Sequence, residues 1–339
     1  MPLRPWLEAV SRRQSLDATQ ARAAFEVLLS GSAPASQVGG FLLALETRGP
    51  SADELFGAAS ALRGRMIPVE HGLDTTLDTC GTGGDGAQSF NVSTTVAFVC
   101  AGAGIAVAKH GNRAVSSRAG SADVLEALGV PIDPEPERAA RSLREVGLCF
   151  LFAPAHHPVL RALAPLRREL GVRTPLNLLG PLVNPACTTH QLVGIYAAGL
   201  VSDYATVLGR LGARRAIVVR GHDGLDEVSP CGPTELAVWS DGHVTRGETR
   251  PEDLGLDPVS LDALRGGDAR DNAALIRAVL AGERGPRRDA VVLNAGWALY
   301  AAERADSPRD GVLRAAALID DGRAREALER LLRWHGVAP

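Results

Sequence analysis

Apolar positions recur at helical spacing through the first seventy residues, and after Pro68 they give way to short apolar runs alternating with helices. Four helices open the chain. In "SLDATQARAAFEVLLSG", Asp17 is the predicted N-cap with Gln20 three residues on, Phe25, Leu28 and Leu29 share a face, and Gly31 is the stop. "SADELFGAASALRGR" repeats the device with Ser51 and Glu54, and Leu55, Ala58 and Leu62 form its buried stripe. Between them "SQVGGFLLALETRG" runs to Gly49-Pro50. No residue in this region suggests chemistry.

The later runs predict strands at residues 75–80, 105–108, 148–153, 191–196 and 216–219. Strands alternating with helices imply a parallel sheet with crossovers, hence a second, α/β domain. A hairpin follows in "TELAVWSDGHVTRG", turning at Asp241-Gly242, and from Pro258 the pattern is mostly helical. There is no low-complexity linker and no internal repeat. In open α/β sheets, ligands sit outside the carboxyl ends of the strands. That rule gathers "GTGGDG" (81–86), "KHGNR" (109–113), "APAHHP" (153–158) and "GHDGLDEVSP" (221–230) around one cleft.

Composition narrows the functional classes. The 339 residues are 45% hydrophobic and 22% charged, enough for a large core in a soluble globular protein. A net charge of −3 and 4% aromatics argue against a nucleic-acid partner. No apolar run is long enough to cross a bilayer, and "MPLRPWLEAVSRRQ" lacks the apolar centre of a signal peptide. Cysteines 80, 100, 149, 187 and 231 never form Cys-x-x-Cys, which reads as reduced thiols in a cytoplasmic protein.

The richest segment is "DTCGTGGDGAQSFNVSTTVAFVCAGAG". A strand, a loop with Gly81, Gly83, Gly84 and Gly86, and a helix capped near Ser93 make a nest of backbone N–H groups suited to phosphate. Gly81, Gly83 and Gly86 also satisfy the dinucleotide pattern Gly-x-Gly-x-x-Gly. The second strand, however, ends in Lys109-His110 rather than an acidic residue, which leaves only an NADP-like version of that reading. Lys109 is the single lysine among 36 basic residues. A compact ammonium suits a tight phosphate site where a guanidinium does not, so Lys109→Arg is expected to lower activity with little loss of stability. Asp85 inside a phosphate cradle calls for a cation or a ribose hydroxyl between the charges. Asp226-Glu227 answers that need as an oxygen-ligand site for Mg²⁺, with Ser93 able to add a hydroxyl. His156 and His157 do not form a convincing zinc site; one is expected to pack and the other to face the cleft.

In order and spacing, "GTGGDG", "NVST", "KHGNR", "SSRAGSADVLEALG", "HHP", "RRELGVRTPLNLLGPLVNP" and "GLDEVS" closely resemble the anthranilate phosphoribosyltransferases, over nearly the whole chain. The resemblance implies transfer of phosphoribosyl from phosphoribosyl pyrophosphate (PRPP) to the amine of anthranilate in tryptophan biosynthesis, by a Mg²⁺-dependent homodimer. It implies a small all-helical domain (1–70 with about 165–188) joined by hinges to a larger α/β domain with a mostly parallel sheet (71–164 with about 189–339). Gly81, Thr82, Gly83, Gly84, Asp85, Asn91, Ser93, Thr94, Lys109 and Ser121 would hold PRPP. Ser93, Asp226 and Glu227 would serve two Mg²⁺ ions. Gly81, His110, Asn112, His157, Arg167 and Gly180 would bind anthranilate, with Arg167 gripping its carboxylate; Lys109, Asp85 and Arg167 would carry catalysis. One departure stands out: Pro175-Leu176 replaces the family's aliphatic residue and phenylalanine. A different aminobenzoate, a pyrimidine-nucleoside phosphorylase and an NADP-dependent oxidoreductase are the alternatives.

Overall fold

Local signals set the opening helices α1 (Arg4–Ser11), α2 (Ala18–Leu29), α3 (Ala35–Arg48) and α4 (Ala52–Arg63) in the computed structural model, which describes residues 2–114, 118–133 and 135–338. Both expected capping boxes form. The Asp17 carboxylate accepts from the Gln20 N–H at 2.8 Å and Gln20 returns the bond at 3.1 Å; Ser51 and Glu54 do the same at 3.3 and 2.8 Å. Such a cap contributes about 1 kcal/mol. Glu54 does more, because its buried carboxylate also takes the Leu16 N–H at 2.9 Å and the Arg48 guanidinium, tying three helices together. Gly57 lets α2 and α4 touch: a Cβ there would stand 2.6 Å from the Ala18 carbonyl.

Next come β1 (Leu77–Gly81), α5 (Val92–Gly102), β2 (Val107–Gly111), α6 (Ser121–Ala127), α7 (Pro136–Val146), β3 (Leu148–Phe152), α8 (Ala153–His156), α9 (Ala164–Leu170) and β4 (His190–Gly194). The chain continues through α10 (Val201–Arg210), β5 (Arg215–Gly221), β6 (Thr234–Ser240), β7 (His243–Thr249), α11 (Ala269–Leu280), α12 (Pro286–Ala301), α13 (Pro308–Asp320) and α14 (Arg323–Trp334). One seven-stranded sheet results, in the order β3-β2-β1-β4-β5-β6-β7. β1 to β5 are parallel, β6 pairs antiparallel with β5, and β7 pairs antiparallel with β6. The hairpin turns where expected, with Asp241 and Gly242 both at positive φ (52° and 83°). β2 runs beyond its expected end: Lys109, His110 and Gly111 pair with Phe150, Leu151 and Phe152. Polar letters suggested a loop there, but the side chains of Lys109 and His110 are buried and bonded inside the protein.

Alternation along β5 separates two cores. Ile217 and Val219 join a cluster with α5 and α11 to α14, while Ala216 and Val218 face the other way. That second core is continuous from the sheet through α10 and residues 176–183 into α1 to α4. A small helical domain therefore sits on one face of a larger α/β domain. Leu176, at the departure from the family pattern, is 6% exposed and belongs to this shared core. All five cysteines carry free thiols, and among the described residues no helix is long and apolar enough to cross a membrane.

Candidate active site

The glycine loop leaves the sheet where its winding reverses. β1 crosses through α5 to β2 on one side, and β4 crosses through α10 to β5 on the other, so the crevice between β1 and β4 is the switch point of the fold. Gly81 and Gly194 face each other in register at its mouth. Thr82 donates its N–H to the Gly194 carbonyl at 2.9 Å, and its hydroxyl accepts from the Tyr196 N–H at 3.1 Å. The Gly83 N–H goes to Asp226 Oδ2 at 2.6 Å. Two of the N–H groups expected to face a ligand are thus spent on the protein itself. Those of Gly84, Asp85 and Gly86 make no hydrogen bond among the described residues, and positive φ at Gly83, Gly84 and Gly86 (66°, 77° and 79°) gives the loop its curl.

Charge is concentrated just inside. Lys109 is only 4% exposed; its Nζ donates to the Thr79 carbonyl at 2.6 Å and to Ser93 Oγ at 3.2 Å. Burial lowers its pKa, and Asp78, Glu227 and Asp226 hold it up. Burial pushes Glu227 up to about 8, against the pull of Lys109, and nearby Asp85 adds to the rise. Asp226 rises well above the carboxylate range from burial, then from Asp85 and Glu227. Asp85 accepts the Ala87 N–H at 3.1 Å through Oδ1, while its Oδ2 is buried without a donor. Three carboxylates with one lysine among them are short of positive charge, and all-oxygen donors beside a hydroxyl fit Mg²⁺. Among the described residues no group of three or more His, Cys, Asp or Glu side chains is placed to hold a metal ion by itself.

α5 starts two residues earlier than a cap at Ser93 implies, with Asn91 at the N-cap position. Asn91 uses its side chain elsewhere, accepting from Asn272 Nδ2 at 2.9 Å, which leaves Ser93 inside the first turn above Lys109. Thr94 is 1% exposed with an unpartnered hydroxyl, so it lies beneath the loop rather than at its surface. Ser121 Oγ donates to the Asn112 carbonyl at 3.3 Å, joining the start of α6 to the end of β2. Ser116 and Ser117 of the "SSRAG" motif lie outside the described residues.

Of the other expected group, His110, His157 and Gly180 come together on the opposite face of β2 from Lys109. The His110 Nδ1 lies 3.1 Å from the Gly180 carbonyl, which can only accept, so the proton is on Nδ1 and Nε2 is left as an unpartnered acceptor. His157 packs 5.2 Å from the His110 ring. Burial, then the other histidines, hold His110 well below the usual imidazole range and His157 at about 4. His156 bonds the Ile67 carbonyl at 3.0 Å. Neither His156 nor His157 is open: both are 1% exposed, against the expectation that one faces the cleft, because His156 is tied to the Ile67 carbonyl and His157 packs on the His110 ring. Arg167, on α9, is half-buried, its side chain makes no hydrogen bond or ion pair among the described residues, and its pKa is lowered by that burial.

Several neighbours escaped sequence reasoning. Asp78 is fully buried under β2, where it accepts the His110 N–H at 3.2 Å and Asn184 Nδ2 at 2.7 Å. An aspartate inside the apolar run "TTLDTC" was the available signal. Arg173, which donates to the Gly84 carbonyl and covers Tyr196, gave none, since its partners are remote in sequence.

Comparison with known proteins follows the same division. Residues 4–66 match the helical bundle domain of a glycosyl transferase family, and residues 73–325 match its a/b domain. The anthranilate phosphoribosyltransferase of Myxococcus xanthus is 50% identical, with 98% of both chains covered, and that of Moorella thermoacetica is 49% identical over the same shares. The crystal structure of the Thermus thermophilus anthranilate phosphoribosyltransferase superposes with a TM-score of 0.91 at 41% identity, covering 98% of this chain and 99% of that one. The Saccharomyces cerevisiae enzyme in complex with PRPP and Mg gives 0.88 at 27% identity, with 98% of each chain covered. By its two matched domains and by near full-length identity to these enzymes, the chain belongs to the anthranilate phosphoribosyltransferase family.

Proposed function

We infer that this protein transfers the phosphoribosyl group from PRPP to the amine of anthranilate, giving N-(5-phosphoribosyl)anthranilate and pyrophosphate. The observation that carries the reading is the glycine loop at the β1/β4 switch point, with three uncommitted N–H groups beside Asp85, Asp226, Glu227 and Lys109. Such a site suits a diphosphate compound accompanied by divalent cations.

Each residue then has a task. The N–H groups of Gly84, Asp85 and Gly86 bind the pyrophosphate end, with Asn91 and Ser121 near the rest of the sugar phosphate. Breaking the anomeric C–O bond leaves positive charge on the sugar and negative charge on the departing pyrophosphate. Fixed donors aimed at that developing charge lower the barrier because they need no reorganisation during the reaction. Lys109, held against Ser93, adds its field from below the loop. Asp85, Asp226, Glu227 and Ser93 would hold Mg²⁺, two ions by the family resemblance, and the metal when bound supplies charge neutralisation at the leaving group. On the other side of the sugar, Arg167 binds the anthranilate carboxylate while Asn112 and Gly180 shape its path, with His110 and His157 packed behind them. The aromatic amine is neutral at pH 7 and attacks without prior deprotonation, so positioning supplies the remainder.

The reading makes the protein a cytoplasmic homodimer, which light scattering tests. Its activity is tested by loss of anthranilate fluorescence on adding PRPP, with and without Mg²⁺. Loss that needs both additions supports the reading, and unchanged fluorescence from folded protein refutes it.

A further inference from the structure

We propose that Arg173 is a positioning residue for the phosphate cradle, acting through the peptide that joins Gly84 to Asp85. The proposal rests on the phosphoribosyl-transfer reading above and adds a residue that no motif in the glycine loop contains.

The peptide joining Gly84 to Asp85 is one rigid plane. In a trans peptide the C=O of one residue and the N–H of the next point in opposite directions. Arg173 Nη2 donates to the Gly84 carbonyl, so the Asp85 N–H in that plane is turned away from the guanidinium. That N–H is one of the three in the loop without a partner among the described residues. A cation on the carbonyl side also draws electron density through the amide, which makes the N–H on the far side a stronger donor. Arg173 therefore aims the cradle's central N–H and strengthens it for an anion, without touching that anion itself.

Its own position is fixed from outside the loop. The guanidinium lies 4.4 Å over the Tyr196 ring, a cation–π distance. Tyr196 follows β4, and its N–H bonds the hydroxyl of Thr82 in the same glycine loop. Glu46, from α3 of the helical domain, feels Arg173 electrostatically and has a carboxylate oxygen buried without a donor. The backbone of Gly84 fits the arrangement closely: a Cβ on it would stand 3.4 Å from Arg173 Nε, and its φ of 77° is one that side chains rarely adopt. Gly83 is held from the other side by Asp226 at 2.6 Å. The two tethers, one from the segment before Leu176 and one from the loop after β5, hold Gly83 and Gly84, the stretch from which the free N–H groups project. Arg173 stands three residues before Leu176 in "RTPLN", so the segment nearest the aromatic-acid side also supports the phosphate side.

Calorimetry of PRPP binding in the presence of Mg²⁺ tests this with Arg173→Ala, Arg173→Gln and Arg173→Lys beside the unaltered full chain. Because Arg173 is exposed and partly screened, Arg173→Ala is expected to raise the PRPP Kd about three- to tenfold. Arg173→Gln keeps a donor without the charge and is expected to stay weakened, while Arg173→Lys recovers most of the affinity. The KM for anthranilate and the melting temperature are expected to hold. Tight PRPP binding by either uncharged variant overturns the proposal, as does a loss that tracks falling stability in all three. Absence of PRPP binding by the unaltered protein would instead sink the functional reading beneath it.

Discussion

The Asp226 carboxylate occupies the space that a Cβ on Gly81 would fill: an added methyl would meet its Oδ2 and stand 3.0 Å from its Cγ. Opposite, the Asp226 backbone blocks the same position on Gly194. The loop after β5 thus lies across two glycines paired in register on β1 and β4. Gly81→Ala is expected to push Asp226 away, break its 2.6 Å bond to the Gly83 N–H, and cost about 1–3 kcal/mol by overpacking. Thermal melting reads the stability, and calorimetry should show PRPP and Mg²⁺ affinity falling together. Unchanged affinity would separate Asp226 from the ligand site.

Lys109→Arg tests the single lysine. Its Nζ is held within 2.6 Å of the Thr79 carbonyl and 3.2 Å of Ser93 Oγ in a space closed to solvent. A guanidinium is wider and needs more acceptors than that space offers. Turnover is expected to fall at least tenfold. The sequence alone suggested little loss of stability, but a residue 4% exposed leaves no room for extra atoms, so a penalty of about 1–3 kcal/mol is expected as well. Chemical denaturation and steady-state assays measure the two effects separately. Full activity in the variant would contradict the role given to Lys109.

What could be read in advance divides by the range of the interaction. The Asp17/Gln20 and Ser51/Glu54 boxes and the Asp241-Gly242 turn depend on neighbours within three residues, and they stand where the letters put them. The residues of "GTGGDG" and "GLDEVS" could be assigned to one cleft because strand ends share an edge of the sheet. Which atoms face a ligand could not. Thr82 and Gly83 give their N–H groups to Gly194 and Asp226, and those partners are set by sheet register and a distant loop. The same holds for Asp78 beneath His110 and for Arg173 on Gly84, where 89 residues separate the two. His157 looked like a cleft residue because histidine pairs are polar, yet it is buried against the His110 ring of β2.

Arg167→Ala separates a binding arginine from a surface one. The side chain is half-buried and has no anionic partner, so its charge is desolvated without compensation. Removing it should leave stability unchanged or slightly raised. If it grips the anthranilate carboxylate, the KM for anthranilate should rise about tenfold or more, while the Kd for PRPP holds. Steady-state kinetics at saturating PRPP decides the matter. A KM equal to that of the unaltered protein would return Arg167 to the status of an ordinary helix-surface residue.

Acid should weaken the protein through His157, and the sign follows from where its proton goes. The folded imidazole is held at about 4 by burial and by His156, against 6.5 when free. Above 6.5 neither state is charged and the histidine costs nothing. As pH falls from 6.5 towards 4, the unfolded chain takes a proton that the folded chain refuses, so stability is lost across that window, by about 3 kcal/mol at most. His110 and His156 are shifted in the same direction. Glu227 opposes them. Raised to about 8, it makes the folded state bind the extra proton between 8 and 4.5, so acidification stabilises through that group. A melting profile of the unaltered protein sums these terms and identifies none. The difference between the unaltered protein and His157→Asn removes the carboxylates, which both share, and leaves a constant packing cost plus the titration of His157 and its smaller effect, of the same sign, on His110. Urea unfolding at pH 7.5, 6 and 5 should therefore show the advantage of histidine over asparagine shrinking as pH falls. An advantage that stays constant would mean that His157 takes up its proton in the folded state near the ordinary pH, and that its ring is less closed off than its 1% exposure indicates.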